Sequence, residues 1–499
     1  MAVATARIDH ILLSPSEMAA ADAYAIEHGV GGLELMERAG RGVARIASDY
    51  LGDPSSDLDD VVILTGPGNN GGDGYVAARY LATWGYPVRI MSLVDVSSLQ
   101  GDAAAMARQW DGPVLPADLA VLSAAGMIID GLFGAGLSRP LEGQAADIVQ
   151  AANQSDAFRL AIDLPSGLDG ATGQPTGPCF HADATVTFFL KKPGHLIAPG
   201  RFLCGGTSNI HVADIGTPAS ALEAIKPVAF ANEPALWSGL FPHAGPFSHK
   251  YDRGHVLVLG GREPALGASR LSSLAALRSG AGLVTLAAPA ETYAVQATAL
   301  IDVMVRKFEA AFGFLGMLSD PRLSTVVLGP GAGVGERTAK LVEGVISKGR
   351  KAVVDADALT SLVDRLDRVR TTNKGLIVMT PHDGEFRRLF PGLPLDRDRL
   401  AAAREAAAQT GAYLVLKGVS TIVAAPDGRA SVAHNAPAWL SVGGTGDVLS
   451  GIIAGLLAQG MPAFEAASAA VWLHGQAAVK AGRGMIASDL LDILPKVLP

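Results

Sequence analysis

Val61-Val62-Ile63-Leu64-Thr65-Gly66-Pro67-Gly68-Asn69-Asn70-Gly71-Gly72-Asp73-Gly74, running on into the helical stretch Tyr75 to Trp84, reads as a strand, a glycine-rich turn and a helix. The unit recurs in the runs Val88 to Met91, Met127 to Ile129 and Leu160 to Ile162, each short, apolar and bounded by turn residues. Such alternation predicts a parallel sheet wrapped by helices. Upstream, Ser14 to about Asp49 carries apolar residues at helical spacing, with Ser14-Pro15 as a cap and first-turn proline. Around Thr217 to Pro246 the pattern lapses into prolines, alanines and single aromatics. It restarts with Val256 to Leu259, Leu283 to Leu286, Thr325 to Leu328, Ala352 to Val354, Leu376 to Met379 and Tyr413 to Leu416. The expected division is therefore one α/β domain over 1–225, a linker over 226–246 and a second α/β domain over 247–499. No fixed-period self-similarity marks a repeat protein.

At 499 residues the chain exceeds the roughly 100 to 200 residues of an ordinary domain, which agrees with two cores. Hydrophobic residues make up 49% and charged ones 18%, a composition for packed cores and not for long disordered tails. The net charge of -8 has no basic block behind it, so nucleic acid is not an expected partner. Cys179 and Cys204 lack CxxC spacing, which disfavours a disulfide scaffold or cysteine zinc site and fits a reduced, cytoplasmic setting. An aspartate and a histidine interrupt the apolar core that a signal peptide would need in MAVATARIDHILLSPSEM. The most apolar stretch, Val448 to Ala458, is short and contains Ser450, Gly451 and Gly455; it reads as a buried helix, so no membrane is expected.

The glycines of the Gly66 to Gly74 turn would let backbone amides and a helix N-terminus approach a phosphate, although glycine alone equally suits a tight turn. Asn69, Asn70 and Asp73 add hard oxygens suited to a cation or to ribose and amide groups. Asp130-Gly131-Leu132-Phe133-Gly134-Ala135-Gly136 and Asp163-Leu164-Pro165-Ser166-Gly167-Leu168-Asp169 stand at equivalent strand ends. In open parallel sheets those ends line the ligand crevice, so Asn70, Asp130, Asp163 and Ser166 are expected to converge. In the second half, Gly443-Gly444-Thr445-Gly446-Asp447 precedes an apolar helix, offering amides as an anion hole and a carboxylate as base.

In that order GPGNNGGDG, DGLFGAG and IDLPSGLDG resemble the NAD(P)H-hydrate epimerase domain, over about Ser14 to Gly216. The resemblance implies that Asn69, Asn70, Gly71, Gly72 and Asp73, with Gly134, Ala135, Gly136, Leu137, Ser138, Arg139 and Pro140, hold the damaged dinucleotide. It further implies that Asp163 contacts substrate and that Asn70, Asp130 and Ser166 bind K+. Inverting a carbon that bears a hydroxyl and the ring nitrogen needs only loss and return of water with one proton-transfer group, and Asp163 is the candidate.

The GGTGD string resembles the anion hole and catalytic aspartate of ribokinase-like phosphotransferases. Ser248-His249-Lys250, Gly260-Gly261 with Gly267-Ala268, Ser279 to Thr285, Gly329-Pro330-Gly331-Ala332-Gly333, Asp355 to Leu359, Thr380-Pro381-His382 and Lys417-Gly418-Val419-Ser420-Thr421 are similar to ADP-dependent NAD(P)H-hydrate dehydratase. A Rossmann-like three-layer α/β/α domain followed by a ribokinase-like α/β domain is the implied architecture. By resemblance Ala268, Gly329, Gly331, Gly333, His382 and Asp447 contact the hydrated dinucleotide, while Lys417, Gly418, Val419, Ser420, Thr421 and Gly446 contact the adenine nucleotide. Asp447 would deprotonate the hydroxyl for attack on the terminal phosphorus of ADP (or ATP), with Mg2+ and glycine amides holding the charge, and the phosphate ester would then be expelled.

Two positions depart from the family's pattern: Asp383 stands where proline is common, and His434-Asn435-Ala436-Pro437-Ala438-Trp439 where G-N-P-G-M is common. A homo-oligomer is the expected assembly. The competing reading is a ribokinase-class kinase for a vitamin precursor such as hydroxyethylthiazole, fused to a dinucleotide-binding module.

Overall fold

Seven parallel strands make the sheet of the first unit, Ile11–Ala229. Their order is Val114–Leu115, Val88–Ser92, Val61–Thr65, Met127–Gly131, Phe158–Ile162, Ala184–Phe188 and Ile210–Ala213. The structure is a computed structural model that describes residues 8–54, 59–137, 139–372 and 377–499. After Val61–Thr65 the chain runs outward to two strands on one side, then returns to lay Met127–Gly131 on the other. That reversal is a topological switch point, and the crevice beyond the strands' carboxyl ends is where open α/β sheets take ligands. Helix Asn69–Thr83 starts inside the glycine turn. A Cβ on Gly71 would fall 2.1 Å from the Gly66 carbonyl oxygen, and one on Gly72 2.6 Å from Met36 Sδ. These glycines thus serve close packing as well as the approach to a ligand. Helix Pro15–Glu27 opens on Ser14, whose hydroxyl accepts the Glu17 N–H while Glu17 reaches back to the Ser14 N–H.

The second unit comprises Phe230–Pro499 together with the described N-terminal residues Ile8 to His10. Its sheet runs Ala430–Val432, Ile422–Ala424, Tyr413–Leu416, Ile377–Met379, Lys351–Val354, Leu323–Leu328, His255–Leu259, Leu283–Pro289 and Met304–Phe308. Pairing is parallel from Tyr413–Leu416 to Met304–Phe308 and antiparallel from Tyr413–Leu416 through Ile422–Ala424 to Ala430–Val432. Helix Thr445–Ala458 is buried along nearly its whole length against helix Leu266–Arg278. The glycines inside it permit this contact: a Cβ on Gly451 would sit 2.3 Å from the Ser272 carbonyl oxygen, and one on Gly455 2.0 Å from Ser279 Oγ. The apolar run is thus an internal helix, and among the described residues no helix is long and apolar enough to cross a membrane.

Much of the expected linker, 226–246, belongs to this second core. Trp237 and Phe241 are buried with Val256, Ile453 and Phe464, and Asn232 donates its backbone N–H to Val432 and its side-chain amide to Ser468. Its scattered aromatics are anchors, and their lack of period reflects short turns in place of a long helix or strand. Every short apolar run read from the sequence as part of a sheet occupies a strand, with residue 376 outside the described residues.

Candidate active sites

A cavity of about 560 Å3 opens at the switch point of the first unit. Of the dinucleotide residues expected from the sequence, Asn69, Asn70, Asp73, Gly134, Ala135, Gly136, Leu137, Arg139 and Asp163 line it. Gly71, Gly72 and Pro140 do not; the two glycines are packed inside the helix and Pro140 is exposed. Ser138 lies outside the described residues.

Asp163 ends its strand with φ 63°, a left-handed conformation that aspartate tolerates and that is often retained at functional sites. Its Oδ1 accepts from Lys192 Nζ at 2.6 Å and Thr187 Oγ1 at 3.0 Å, and its Oδ2 from the Ala135 N–H at 3.1 Å. Burial alone would raise its pKa; the Lys192 ammonium and its hydrogen bond outweigh that and hold the carboxyl below the usual range. His195 accepts the Lys192 N–H on Nδ1 at 2.8 Å, so its Nε2 carries the proton donated to the Asp163 carbonyl oxygen at 2.8 Å. Burial pushes this histidine down to about 4, which keeps it neutral.

Two more carboxyls share the cavity. Asp22, from the first helix, is raised to about 6 by burial, with Lys192 opposing and Asp163 reinforcing the shift. Asp73 is raised well above its ordinary value by burial and then by the charges of Asp163 and Asp22. Asp22 Oδ1 and Asn70 Nδ2 are buried without a hydrogen-bond partner, which leaves them for a ligand.

Beneath the cavity, Asp130 and Ser166 are fully buried and in contact. Asp130 accepts the Ser166 hydroxyl and N–H, both at 2.7 Å, and the Leu132 N–H at 3.1 Å. Burial still pushes it to about 6 against those hydrogen bonds, with no cationic side chain among the described residues offsetting its charge. Asn70 stands over the neighbouring Gly131 and Gly134: Cβ atoms built on them would lie 3.0 Å from its backbone and side-chain oxygens, respectively.

The second unit assembles its residues at the carboxyl ends of adjacent strands. Gly329, Gly331 and Gly333 follow Leu323–Leu328, His382 follows Ile377–Met379, and Lys417 follows Tyr413–Leu416. Gly329 has φ 122°, and a Cβ there would meet the Asp355 carbonyl oxygen at 1.8 Å. Lys417 is no solvated surface charge: Nζ donates to Asp355 Oδ1 at 2.8 Å, and Ser450 Oγ donates to Asp355 Oδ2 at 2.5 Å. Burial works against both charges, and their mutual attraction keeps Asp355 low and Lys417 high. A Cβ on Gly446 would lie 3.5 Å from Lys417 Nζ, which places the ammonium beside the glycine turn.

Gly444, at φ 90°, caps helix Thr445–Ala458, and Asp447 lies in its first turn. Burial pushes Asp447 up to about 7, the Asp355 charge adding and the Lys417 charge subtracting. Ser272 Oγ contacts the carbonyl oxygens of both Asp447 (2.9 Å) and Ala268 (3.2 Å), tying these two residues together. His382 keeps its ring half exposed; Nδ1 accepts the Gly384 N–H at 2.9 Å and so caps the helix Asp383–Leu389. Gly418 and Val419 are exposed, Ser420 is buried, and Thr421 Oγ1 accepts the Gly418 N–H at 3.3 Å.

A family model described as "NAD(P)H-hydrate dehydratase" matches residues 256–496, and one described as "YjeF-related protein N-terminus" matches residues 32–194. The bifunctional NAD(P)H-hydrate repair enzyme Nnr of Moorella thermoacetica is 36% identical over 98% of this chain and 96% of its own length. The Nnr of Escherichia coli is 34% identical over 93% of this chain and 89% of its own. The chain belongs to the bifunctional NAD(P)H-hydrate repair enzymes. A solved ribokinase-like superfamily protein from Enterococcus faecalis V583 is similar at 27% identity, with a TM-score of 0.47 over 51% of this chain and 90% of that one.

This repair enzyme surrounds its expected site residues with groups that the sequence reading passed over. Lys192, His195 and Asp22 build the electrostatics of the first cavity. The signal for two of them was Lys191-Lys192-Pro193-Gly194-His195, a lysine pair shortly after the strand Ala184–Phe188. The two departures have structural partners of their own. Asp383 receives Arg399 Nη1 at 2.7 Å. The His434 to Trp439 segment is pinned to helix Ala463–Ala481, with Asn435 Nδ2 on the Trp472 carbonyl and Trp439 Nε1 on the Ala478 carbonyl, each at 2.9 Å.

Proposed function

We propose that this repair enzyme interconverts the R and S hydrates of NADH and NADPH in its first unit and dehydrates the S form in its second, converting ADP to AMP and phosphate. The carrying observation is that each unit holds its own tuned acid at the carboxyl ends of its strands: Asp163 kept ionised by Lys192, and Asp447 raised to about 7 beside the Lys417 and Asp355 pair.

In the first unit, Asn69, Asn70, Asp73 and the 134–140 loop would hold the dinucleotide while Asp163 moves a proton as water leaves and returns at the ring carbon. The residues beneath the cavity fit K+. Asp130 is a buried carboxylate without a cationic partner among the described residues, and it, Ser166 and Asn70 each offer a side-chain oxygen. Bound there, the ion would neutralise Asp130 and brace the loops that carry Asn70 and Phe133.

In the second unit, Asp447 would take the proton of the substrate hydroxyl, whose oxygen attacks the terminal phosphorus as AMP leaves. The ring nitrogen then expels phosphate, and loss of the adjacent ring proton restores the reduced nicotinamide. Lys417 to Thr421 and Gly446 would hold the nucleotide, and Ala268, Gly329, Gly331, Gly333 and His382 the dinucleotide. Among the described residues no three carboxyls are grouped to hold a metal by themselves, so Mg2+ would arrive on the nucleotide phosphates, near Asp447 and the charges of Asp355 and Asp357 that act on it. That ion would supply charge neutralisation at the transferred phosphoryl group.

The test is to incubate the full chain with mixed hydrate epimers and either ADP or ATP. Regain of reduced-nicotinamide absorbance by all of the hydrate, with AMP and phosphate released when ADP is used, is the expected result. Recovery of only part of the hydrate would remove the epimerase, and a stable phosphorylated product would make the second unit a small-molecule kinase.

A further inference from the structure

We propose that Arg399, paired with Asp383, is a positioning residue that shapes the Lys417–Thr421 loop into an anion-binding turn and so sets affinity for the nucleotide's phosphates. The inference rests on the reading that this loop contacts the nucleotide.

Arg399 opens helix Arg399–Thr410, whose Asp398 cap accepts the Ala401 N–H at 2.8 Å, so its backbone is anchored. Its guanidinium is largely buried. Nε donates to the Ser420 carbonyl at 3.0 Å, and Nη2 to the Lys417 carbonyl at 2.7 Å and the Leu416 carbonyl at 3.3 Å. Nη1 reaches across to Asp383 at 2.7 Å. One planar fork therefore gathers two carbonyls of the loop, the carbonyl of the strand residue before it and a carboxylate from the turn that follows His382.

In a trans peptide the C=O and the next N–H point in opposite directions. Drawing the Lys417 and Ser420 carbonyls onto Arg399 therefore turns the Gly418 and Thr421 N–H groups to the far side of the loop, where Thr421 Oγ1 holds the Gly418 N–H at 3.3 Å and the Thr421 N–H can meet an anion. The packing is close: a Cβ on Gly418 would lie 2.5 Å from Nη2, so any side chain there would have to displace the fork. The two loops are also joined by the Lys417 N–H on the Pro381 carbonyl at 2.9 Å. Asp383 itself gains from the helix N-terminus it occupies. The position where the family often carries proline thus supplies the counter-charge that orients the fork.

The experiment measures binding of ADP and ATP to the full chain by calorimetry without hydrate, alongside dehydration kinetics and thermal unfolding. Arg399→Met should weaken ADP at least tenfold and raise its KM, with KM for the hydrate and the epimerase rate unchanged. Arg399→Lys should not restore binding, because a point charge cannot span three carbonyls and a carboxylate. Asp383→Asn, at a half-exposed position that folding tolerates, should weaken ADP several-fold and Asp383→Glu much less. ADP binding within twofold of wild type in both Arg399→Met and Asp383→Asn overturns the proposal. If Lys417→Met weakens ADP and these variants do not, the nucleotide loop stands and only the role of Arg399 falls. If wild type binds neither nucleotide, both fall.

Discussion

Lys192 Nζ lies 2.6 Å from Asp163 Oδ1, in a pair whose ammonium is 1% exposed. Neither charge is affordable there without the other, since breaking a buried pair from one side leaves an uncompensated ion. Lys192→Met should therefore raise the Asp163 pKa, destabilise the first unit by about 3 to 5 kcal/mol and slow epimerisation at least 100-fold. Dehydration of the pure S epimer should stay near the wild-type rate. The check is exchange between hydrate epimers in the absence of nucleotide; an unchanged exchange rate in a folded variant would remove the pair from the mechanism.

Asp447 works as a base only when ionised, and burial pushes its pKa to about 7. The kcat/KM for dehydration should fall tenfold per pH unit below about 7 and level off above it. Asp447→Asn should abolish dehydration and leave epimerisation intact. Because the Lys417 ammonium lowers the Asp447 pKa, Lys417→Met should move the acid limb to higher pH in addition to weakening the nucleotide. A limb that stays in place in that variant would mean another group is titrating.

Strands fully buried on both faces, such as Val61–Thr65, are legible because parallel sheets force an apolar run. Ala184–Phe188 escaped that reading because Thr185 and Thr187 are buried by hydrogen bonding to Cys204 and Asp163 and so look polar. The edge hairpin Ile422–Ala424 and Ala430–Val432 is too short to show a period. The acids of the two sites were readable because each stands in a glycine-rich string, Asp163 directly after a strand and Asp447 in the first turn of a helix. Their partners were not: Lys192, Asp22 and Arg399 act through side chains brought together by tertiary folding, and each in sequence resembles an ordinary surface charge.

The cation prediction rests on Asp130, whose buried charge has hydrogen bonds but no cationic side chain beside it among the described residues. Epimerisation should drop when K+ is replaced by a large organic cation and return on adding K+. Asp130→Asn should lower the apparent K+ affinity at least tenfold, and Asn70→Ala should weaken both K+ and turnover. Thermal unfolding followed against K+ concentration gives a readout that does not depend on activity. A first unit equally stable and active without K+ or Na+ would sink the idea.

Burial of His195 makes a separable prediction about acid stability. Its folded pKa is about 4 against an ordinary 6.5, so between those values the unfolded chain binds a proton that the folded chain refuses. The contribution is fully present above pH 6.5 and is lost as pH falls toward 4, amounting to roughly 3 kcal/mol at 1.36 kcal/mol per unit. Asp22 and Asp130 run the other way, since carboxyls raised to about 6 favour the folded state as pH falls below 6, so the net slope alone would mislead. His195→Gln isolates the histidine, because Gln can accept the Lys192 N–H and donate to the Asp163 carbonyl without titrating. In urea unfolding of the full chain, the stability gap between wild type and His195→Gln should shrink steadily from pH 7 to pH 4.5. A constant gap would show that His195 does not resist protonation in the folded protein.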